Sequence, residues 1–491
     1  MTRSEASAAG RLHPATLLFR IIRHARGLLL PAIAVLLFSR GERWQIWLAV
    51  LFVPLVLFDF FQYFTLRWRY EDEELVLNEG WLFKRVRHIP YTRVQNVDLK
   101  QGVLHRALRV AEVKIETAGG GAEEAVLSVI GLDRYEELRA RIFAGRAASG
   151  ANPALPAAAP VETLLELGPE DLIYLAMNPT RGLAIAAVVW GFLWEFDVLD
   201  SLDLDSLIEN RFDSGGVVAI VMLAAIGLLA AVFLVFVLSL AGTFLALWNF
   251  RLEQEGDVFR IRRGLLTRQV ASIPRRRIQL VTIKESWIHR LLGRARVLVG
   301  TAGGDATGES GKADSGAQFA PILPVAAVGP LLQRIRGDLD LEPVEWQPLA
   351  PHATRRMVIA YLLPVLAVGA LLILIFEWPG VLATGFFALF HVVYAMLDAR
   401  RSGWSRTQWG IAWRSGAFSR ATTVTFDDKV QTAAVIRSPF DRRHGHATLH
   451  VDTAGGGKTG HRLRIRYLPH ETADLLRRRL VDAAATTRFR W

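Results

Sequence analysis

Residues 80–120 read GWLFKRVRHIPYTRVQNVDLKQGVLHRALRVAEVKIETAGG, from Gly80 to the peptide Thr117-Ala118-Gly119-Gly120. The peptide returns at Thr301-Ala302-Gly303-Gly304 and Thr453-Ala454-Gly455-Gly456, and each time a glycine (Gly80, Gly264, Gly416) stands 37 residues before the threonine. In the same gap-free frame Gln95, Gln279 and Gln431 lie 15 residues after the glycine, and Arg106, Arg290 and Arg442 lie 26 after it. The chain therefore carries three duplicated copies of one module, and function belongs to a module used three times rather than to a unique active site.

Each copy is patterned as strands. In the first, Leu75, Val76 and Leu77 precede the turn at Asn78–Gly80, and Val113 and Ile115 alternate with Lys114 and Glu116 before the Thr-Ala-Gly-Gly turn. Phe259, Ile261, Val297 and Val299 repeat the plan in the second copy, and Ile411, Trp413, Leu449 and Val451 in the third. Short alternating runs between glycine-bearing turns predict a small curved antiparallel sheet whose edges need cover. An amphipathic helix follows each sheet, with Tyr135, Leu138 and Ile142, then Val328, Leu331, Leu332 and Ile335, then Leu475, Leu476 and Leu480 on one face.

Between the copies the chain turns apolar: 52% of its 491 residues are hydrophobic and its mean hydropathy is +0.26. A hydrocarbon core about 30 Å thick takes about 20 helical residues to cross. Residues 44–64, 217–248, 357–376 and 379–397 meet or approach that length, and the shorter 28–38 and 182–194 either span, with flanking arginines snorkelling to the interface, or are re-entrant; they are counted here as two more spans. Six spans in three hairpins result. The expected divisions are 1–65 (first segment and hairpin), 66–146 (module one), 147–170 (Ala/Pro linker) and 171–249 (second hairpin), followed by 250–337 (module two), 338–355 (linker), 356–398 (third hairpin) and 399–491 (module three).

The formal net charge of +11 speaks first to topology. Arginines crowd the module side of the spans, at Arg67, Arg69, Arg260, Arg262, Arg263, Arg400 and Arg401, whereas 197–215 is rich in carboxylates. Both termini and all three modules are accordingly expected in the cytoplasm. No cleavable-signal pattern is read at the N-terminus. With no cysteine, disulfides and thiolate metal sites are excluded.

The Gly80-Trp81 turn, Ile89-Pro90-Tyr91, Ile273-Pro274, Gln95, Gln279 and the Thr-Ala-Gly-Gly turns together carry a resemblance. In this ordered threefold set the chain resembles the bacterial pleckstrin-homology-like membrane proteins of the YdbS/YdbT type, in its larger, three-unit form. The resemblance implies a partly open seven-stranded β-barrel per module, closed by its C-terminal helix, in a bacterial inner membrane. It implies no cofactor or catalytic activity, and a smaller single-unit relative as partner, in a homo- or hetero-oligomer. It also suggests a role in envelope stress or antimicrobial resistance. Phe426 stands where the first two copies have Pro90 and Pro274, and Asp441 where they have His105 and His289.

The candidate binding residues are cations: Lys84, Arg85, Arg87 and Arg93 in module one, and Arg260, Arg262, Arg263 and the run Arg275-Arg276-Arg277 in module two. Beside a cytoplasmic leaflet each gains about 1 kcal/mol from anionic lipid; the alternative is a plain orientation signal. Gly457-Lys458-Thr459 lacks the first glycine of a phosphate loop, and His444, His446, His450 and His461 match no zinc-ligand spacing and read as a solvated strand and turn. The function expected is a non-enzymatic membrane scaffold that binds membrane lipid and protein but no nucleic acid. The alternative is a six-helix transporter using His391, for Asp59, Glu195 and Asp398 lie near span ends.

Overall fold

The computed structural model describes residues 9–11, 16, 19, 67–71, 73–79, 84–117, 125–148, 161–177, 217–302, 317–342, 344–453 and 462–486. Module one comprises β1 (Ala9–Arg11), β2 (Arg67–Tyr70), β3 (Glu74–Glu79), β4 (Arg85–Pro90), β5 (Val94–Gln101), helix α1 (Val103–Ala107), β6 (Val110–Thr117), β7 (Ala125–Gly131) and α2 (Leu132–Ala148). Then come β8 (Glu162–Glu166), α3 (Pro169–Ala176) and the long α4 (Val217–Leu247). Module two follows with β9 (Arg251–Glu255), β10 (Val258–Arg263), β11 (Arg268–Pro274), β12 (Ile278–Glu285), α5 (Trp287–Leu291), β13 (Arg294–Thr301), β14 (Ala317–Pro324) and α6 (Val328–Ile335). The hairpin α7 (Ala353–Phe376) and α8 (Trp378–Arg401) leads into module three: β15 (Gly403–Arg406), β16 (Gly410–Ser415), β17 (Arg420–Phe426), β18 (Val430–Ile436), α9 (Pro439–Arg443), β19 (His446–Thr453), β20 (Arg462–Pro469) and α10 (His470–Thr486).

Every module thus has a first sheet of three strands, a 3₁₀ turn, and a second sheet of three strands with a short helix after its leading strand. The chain falls into two compact units, Met1–Val161 with Glu255–Arg262 and Leu266–Ile273, and the remainder. Within the first, β1-β2-β3-β4 form one antiparallel sheet, and β5 pairs on one side with β6 and on the other with β11 of module two. Within the second, β12 pairs with β13 and, on its other side, with β17 of module three. These ladders replace the expected barrels. The sheets do not close on themselves: in modules one and two the leading strand of the second sheet hydrogen-bonds to the next module instead of to its own first sheet, and in module three the two sheets are separate among the described residues.

The register is the same at both junctions. Arg268, four residues past Gly264, lies opposite Gln101, 21 past Gly80; Arg420, four past Gly416, lies opposite Glu285, 21 past Gly264. The outer edge of each first sheet is also covered, by the segment that precedes the hairpin: β1 on β2, β8 on β9, and a bridge from Gln347 to Trp404 of β15. Residues 162–166 and 347, expected in spacers, are strand pairs.

The C-terminal helices seal the cores as the pattern predicts. Tyr135, Leu138 and Ile142 of α2 pack with Trp68, Leu75, Leu77, Ile89 and Ile115, and Val328, Leu331, Leu332 and Ile335 of α6 are buried. In α10 the buried face is Ala473, Leu476 and Leu480, and Leu475 is 49% exposed. The correction follows from the arc: 473, 476 and 480 share a stripe, and 475 is turned about 100° away from 476.

Among the described residues three helices have the length and apolar composition of membrane spans: Ala225–Leu247 within α4, α7 and α8. The expected spans at 28–38, 44–64 and 182–194 lie outside the described residues. At 24 residues each, α7 and α8 run about 36 Å. Their side chains are bare to the surroundings, as in Leu363, Leu374 and Phe386, which suits lipid as solvent. The two helices meet through small residues. A Cβ on Gly369 would lie 2.3 Å from Thr384 Cγ2, and the Thr384 hydroxyl reaches across to the Gly369 carbonyl at 3.3 Å as well as to the Gly380 carbonyl of its own helix at 2.7 Å.

The short helices end alike. Ser286 caps α5 by accepting the His289 N–H, and Ser438 with Asp441 forms a capping box on α9. Arg106, Arg290 and Arg442 occupy the last turn of α1, α5 and α9, where the helix dipole favours a cation. A left-handed residue then reverses the chain: Arg109 (φ 52°), Gly293 (φ 62°) and Gly445 (φ 70°). Only module one meets this requirement without glycine. Arg109→Gly should therefore stabilise module one by about 1 kcal/mol, read as higher thermal or denaturant resistance of the purified protein, whereas Gly293→Val should lower it.

Candidate membrane-facing site

The spans that lead into modules two and three, α4 and α8, are each bonded at their ends to the opening glycine of the module. At α4 the Gly264 N–H donates to the Trp248 carbonyl at 2.9 Å and Leu265 N–H to the Leu245 carbonyl at 3.0 Å. At α8 the Asp398 carboxylate, 6% exposed, takes over: Oδ1 accepts from Gly416 N–H at 2.7 Å and Ser402 Oγ at 3.2 Å, and Oδ2 from the Tyr361 hydroxyl at 3.1 Å. Arg401 donates to the Ala417 carbonyl beside it. The loop behind each glycine shows apolar side chains at the span end. Leu265 and Leu266 are exposed, and Phe418 is 41% exposed with its ring 6.1 Å from that of Phe390 and 5.8 Å from that of Tyr394 on α8.

Arginines gather at the same place. Arg420, first in β17, lies opposite Glu285 in the ladder and within electrostatic range of Arg290 of α5, Arg401 and Arg414. Burial and the neighbouring Arg290 and Arg401 push its guanidinium below the usual arginine value, against the pull of Glu285. Exposed Trp287 and Leu291 lie on the same short helix as Arg290. In the repeat frame Arg106 and Arg268 hold these positions at the first junction, where the Arg106 guanidinium donates to the Leu266 carbonyl at 3.3 Å. The second junction thus brings the arginine of one module's short helix near the first arginine of the next module's third strand, and at the first junction Arg106 reaches the carbonyl two residues before Arg268. The sequence signal was on hand, for Arg106, Arg290 and Arg442 recur in register; that Arg290 lies near Arg420 needed the ladder.

The expected cations divide. Lys84, Arg85, Arg93 and Arg276 are exposed and Arg87 is half-buried. Arg260 is paired with Glu255 at 2.6 Å, Arg262 has its Nε shut from solvent, and Arg263 reaches Gln318 at 3.5 Å. Arg275 donates from Nε to the Ile335 carbonyl at 2.8 Å, and Arg277, 7% exposed, donates from Nε to Ala302 at 3.0 Å in the Thr-Ala-Gly-Gly turn. These two hold the end of α6 and the turn to the 3₁₀ corner. Of the repeat positions, Thr301, Thr453 and Gln279 are buried, Gln431 is exposed, Gly264 and Gly416 have φ near 103° and 101°, and Gly80, Gly119, Gly303 and Gly455 lie outside the described residues. Thr117 closes β6 and Gln95 lies in β5.

Module three reverses the corner's charge to Asp427-Asp428-Lys429. Arg406 pairs bidentately with Asp427, and Arg336 reaches Asp428 at 2.6 Å. Burial opposes the Asp428 charge, but Arg336 and Lys429 outweigh it and hold the carboxyl below its usual range. His446 is buried rather than solvated and contacts the Pro351 carbonyl through Nε2 at 2.7 Å; His444 contacts the Phe440 carbonyl. His391 contacts the Phe387 carbonyl of its own helix at 2.8 Å. Gly457-Lys458-Thr459, His461, Asp59 and Glu195 fall outside the described residues.

Two three-stranded sheets and a sealing C-terminal helix per module, repeated three times, agree with the comparison of the sequence with known families. The model of the bacterial PH domain matches three times, over residues 20–146, 216–335 and 358–484. The chain belongs to the bacterial PH domain family. The three modules are its PH modules, each matched together with sequence that precedes it. Over 317 residues the chain is 27% identical to the UPF0699 transmembrane protein YdbT of Bacillus subtilis, covering 61% of this chain and 64% of that protein. It therefore spans just under two thirds of that relative's length. No solved structure matches.

Asp398 is the joint between the third hairpin and its PH module, and its loss would leave the Gly416 N–H without its carboxylate acceptor. Asp398→Ala should cost about 1–3 kcal/mol of stability, measured as a lower melting temperature in detergent, with Asp398→Asn recovering part of the loss. A variant as stable as the parent would contradict the joint.

Proposed function

We propose that this protein is a non-enzymatic membrane scaffold whose PH modules lie against the cytoplasmic leaflet, grip anionic lipid headgroups at the module junctions, and offer their remaining surfaces to other proteins. The observation that carries this reading is the arginine cluster Arg290, Arg401, Arg414 and Arg420, set beside exposed Phe418 at the end of α8. Arg290, Arg401 and Arg414 repel the Arg420 cation while Glu285 attracts it, and an anionic headgroup would relieve that repulsion at short range. Phe418 and Leu291 supply apolar surface for the acyl boundary, where amphipathic surfaces rest. The arginine-rich module side of the spans supports the cytoplasmic orientation. The name of the relative in Bacillus subtilis, a transmembrane protein, supports the membrane setting.

The test is the lipid retained by the full-length protein after mild detergent extraction. Wild type should carry anionic over zwitterionic phospholipid well above the bulk ratio, and Arg290→Gln with Arg420→Gln should bring retention back toward bulk. Arg276→Gln, outside the cluster, should change it little. Unchanged enrichment in the double variant would refute the junction as the lipid site.

A further inference from the structure

The leading strand of a second sheet is paired on its outer side in modules one and two, and in module three it is not. β5 takes β11 and β12 takes β17, whereas β18 is the terminal strand of its sheet, β18-β19-β20, among the described residues. Exposure follows the pairing. Gln279 and Leu280 of β12 are 5% and 6% exposed, but their repeat counterparts Gln431 and Thr432 are exposed, as are Ala434 and Ile436. From Thr432 to Ile436 the strand carries no charge and no proline, the devices that blunt an edge. β4, terminal in its sheet among the described residues, carries Arg85, Arg87 and His88.

We infer that β18 is a docking edge for the third strand of another PH module, supplied by a separate polypeptide that carries a carboxylate where this chain's own third strands carry a cation. The register seen twice fixes the contact. The residue four past the opening glycine must lie opposite the residue 21 past it in the receiving module. The receiving residues are Gln101, Glu285 and, at the open edge, Arg437; the donors within this chain are Lys84, Arg268 and Arg420. Gln101 and Glu285 accept a cation opposite them. Arg437 repels one, since like charges directly across a ladder destabilise it. A second copy, whose free third strand offers Lys84, is thereby disfavoured, and a strand bearing Asp or Glu is selected. Arg437 Nε is already shut from solvent with no hydrogen-bond partner. Strand addition of this kind gains its main-chain hydrogen bonds whatever the sequence, so the side chain opposite Arg437 sets the choice. The inference deepens the scaffold reading by naming the surface that recruits protein, and its test has no lipid readout, so it can fail while lipid retention stands.

The chain has no cysteine, so Ala434→Cys installs a single thiol on the edge of the full-length protein. The probe is a synthetic peptide of residues 418–427 with Thr423→Cys and Arg420→Glu; Thr423 is the residue that faces the counterpart of Ala434, Thr282, in the existing ladder. A second peptide retains Arg420. In a redox buffer the glutamate peptide should be trapped about fivefold more than the arginine peptide, and Arg437→Glu in the protein should reverse the order. Equal trapping of both peptides, or equal trapping by Ala485→Cys on α10, would overturn the proposal. So would a disulfide-linked dimer of the Ala434→Cys protein that excludes the peptide, for the edge would then belong to a second copy.

Discussion

Everything in this chain that repeats is held to one hydrogen-bonded ladder, in which the leading strand of a module's second sheet receives the third strand of the next module. The ladder explains why the copies keep their spacing without a gap. A segment from the opening glycine to the threonine contains both the strand that a module gives and the strand that receives, so both faces of the junction are fixed by one count. Inserting a single residue between them would turn the apolar side chains of β12 or β17 to the wrong face. It also explains why the sheets of modules one and two do not close into barrels, because the edge that would seal each of them is spent on its neighbour.

The span ends obey the same economy of position. The opening glycine offers its N–H to the helix that precedes it, to the Trp248 carbonyl in one copy and to the Asp398 carboxylate in another. A module fixed at that point brings its third strand and its apolar loop to the span end together. The cationic residues of the junction, Arg290 and Arg420, meet there because the ladder registers them. Module-to-module pairing and the gathering of arginines at the span end are therefore consequences of a single geometry rather than two separate inventions.

Much of this was legible in the chain. Period-two runs gave the strands, the apolar blocks gave α4, α7 and α8, and helical spacing gave the buried faces of α2 and α6. What stayed hidden was which edge pairs with which, since side-chain alternation records the face of a strand and says nothing of its neighbour. The run Arg275-Arg276-Arg277 misled for a related reason: a guanidinium that donates to buried carbonyls, as Arg277 does to Ala302, is indistinguishable in sequence from one that meets a membrane. The repeat frame held a hint, because Arg93, Arg277 and Lys429 share one position, and a cation kept at a corner in every copy suits an internal tie. Leu475 was misplaced by one residue on the α10 arc, where three adjacent candidates differ only by 100° steps.

The central claim is the junction ladder, and cysteine pairing reads it directly in a chain that has no cysteine of its own. Thr282 and Thr423 face each other across β12 and β17 with their hydroxyl oxygens 3.2 Å apart. Thr282→Cys with Thr423→Cys should form an intramolecular disulfide nearly completely in the membrane-embedded protein, detected by mass spectrometry after proteolysis. Thr282→Cys paired with Ala421→Cys, two residues out of register, should form little. Equal yields from the two pairs, or no bond from the first, would contradict the ladder.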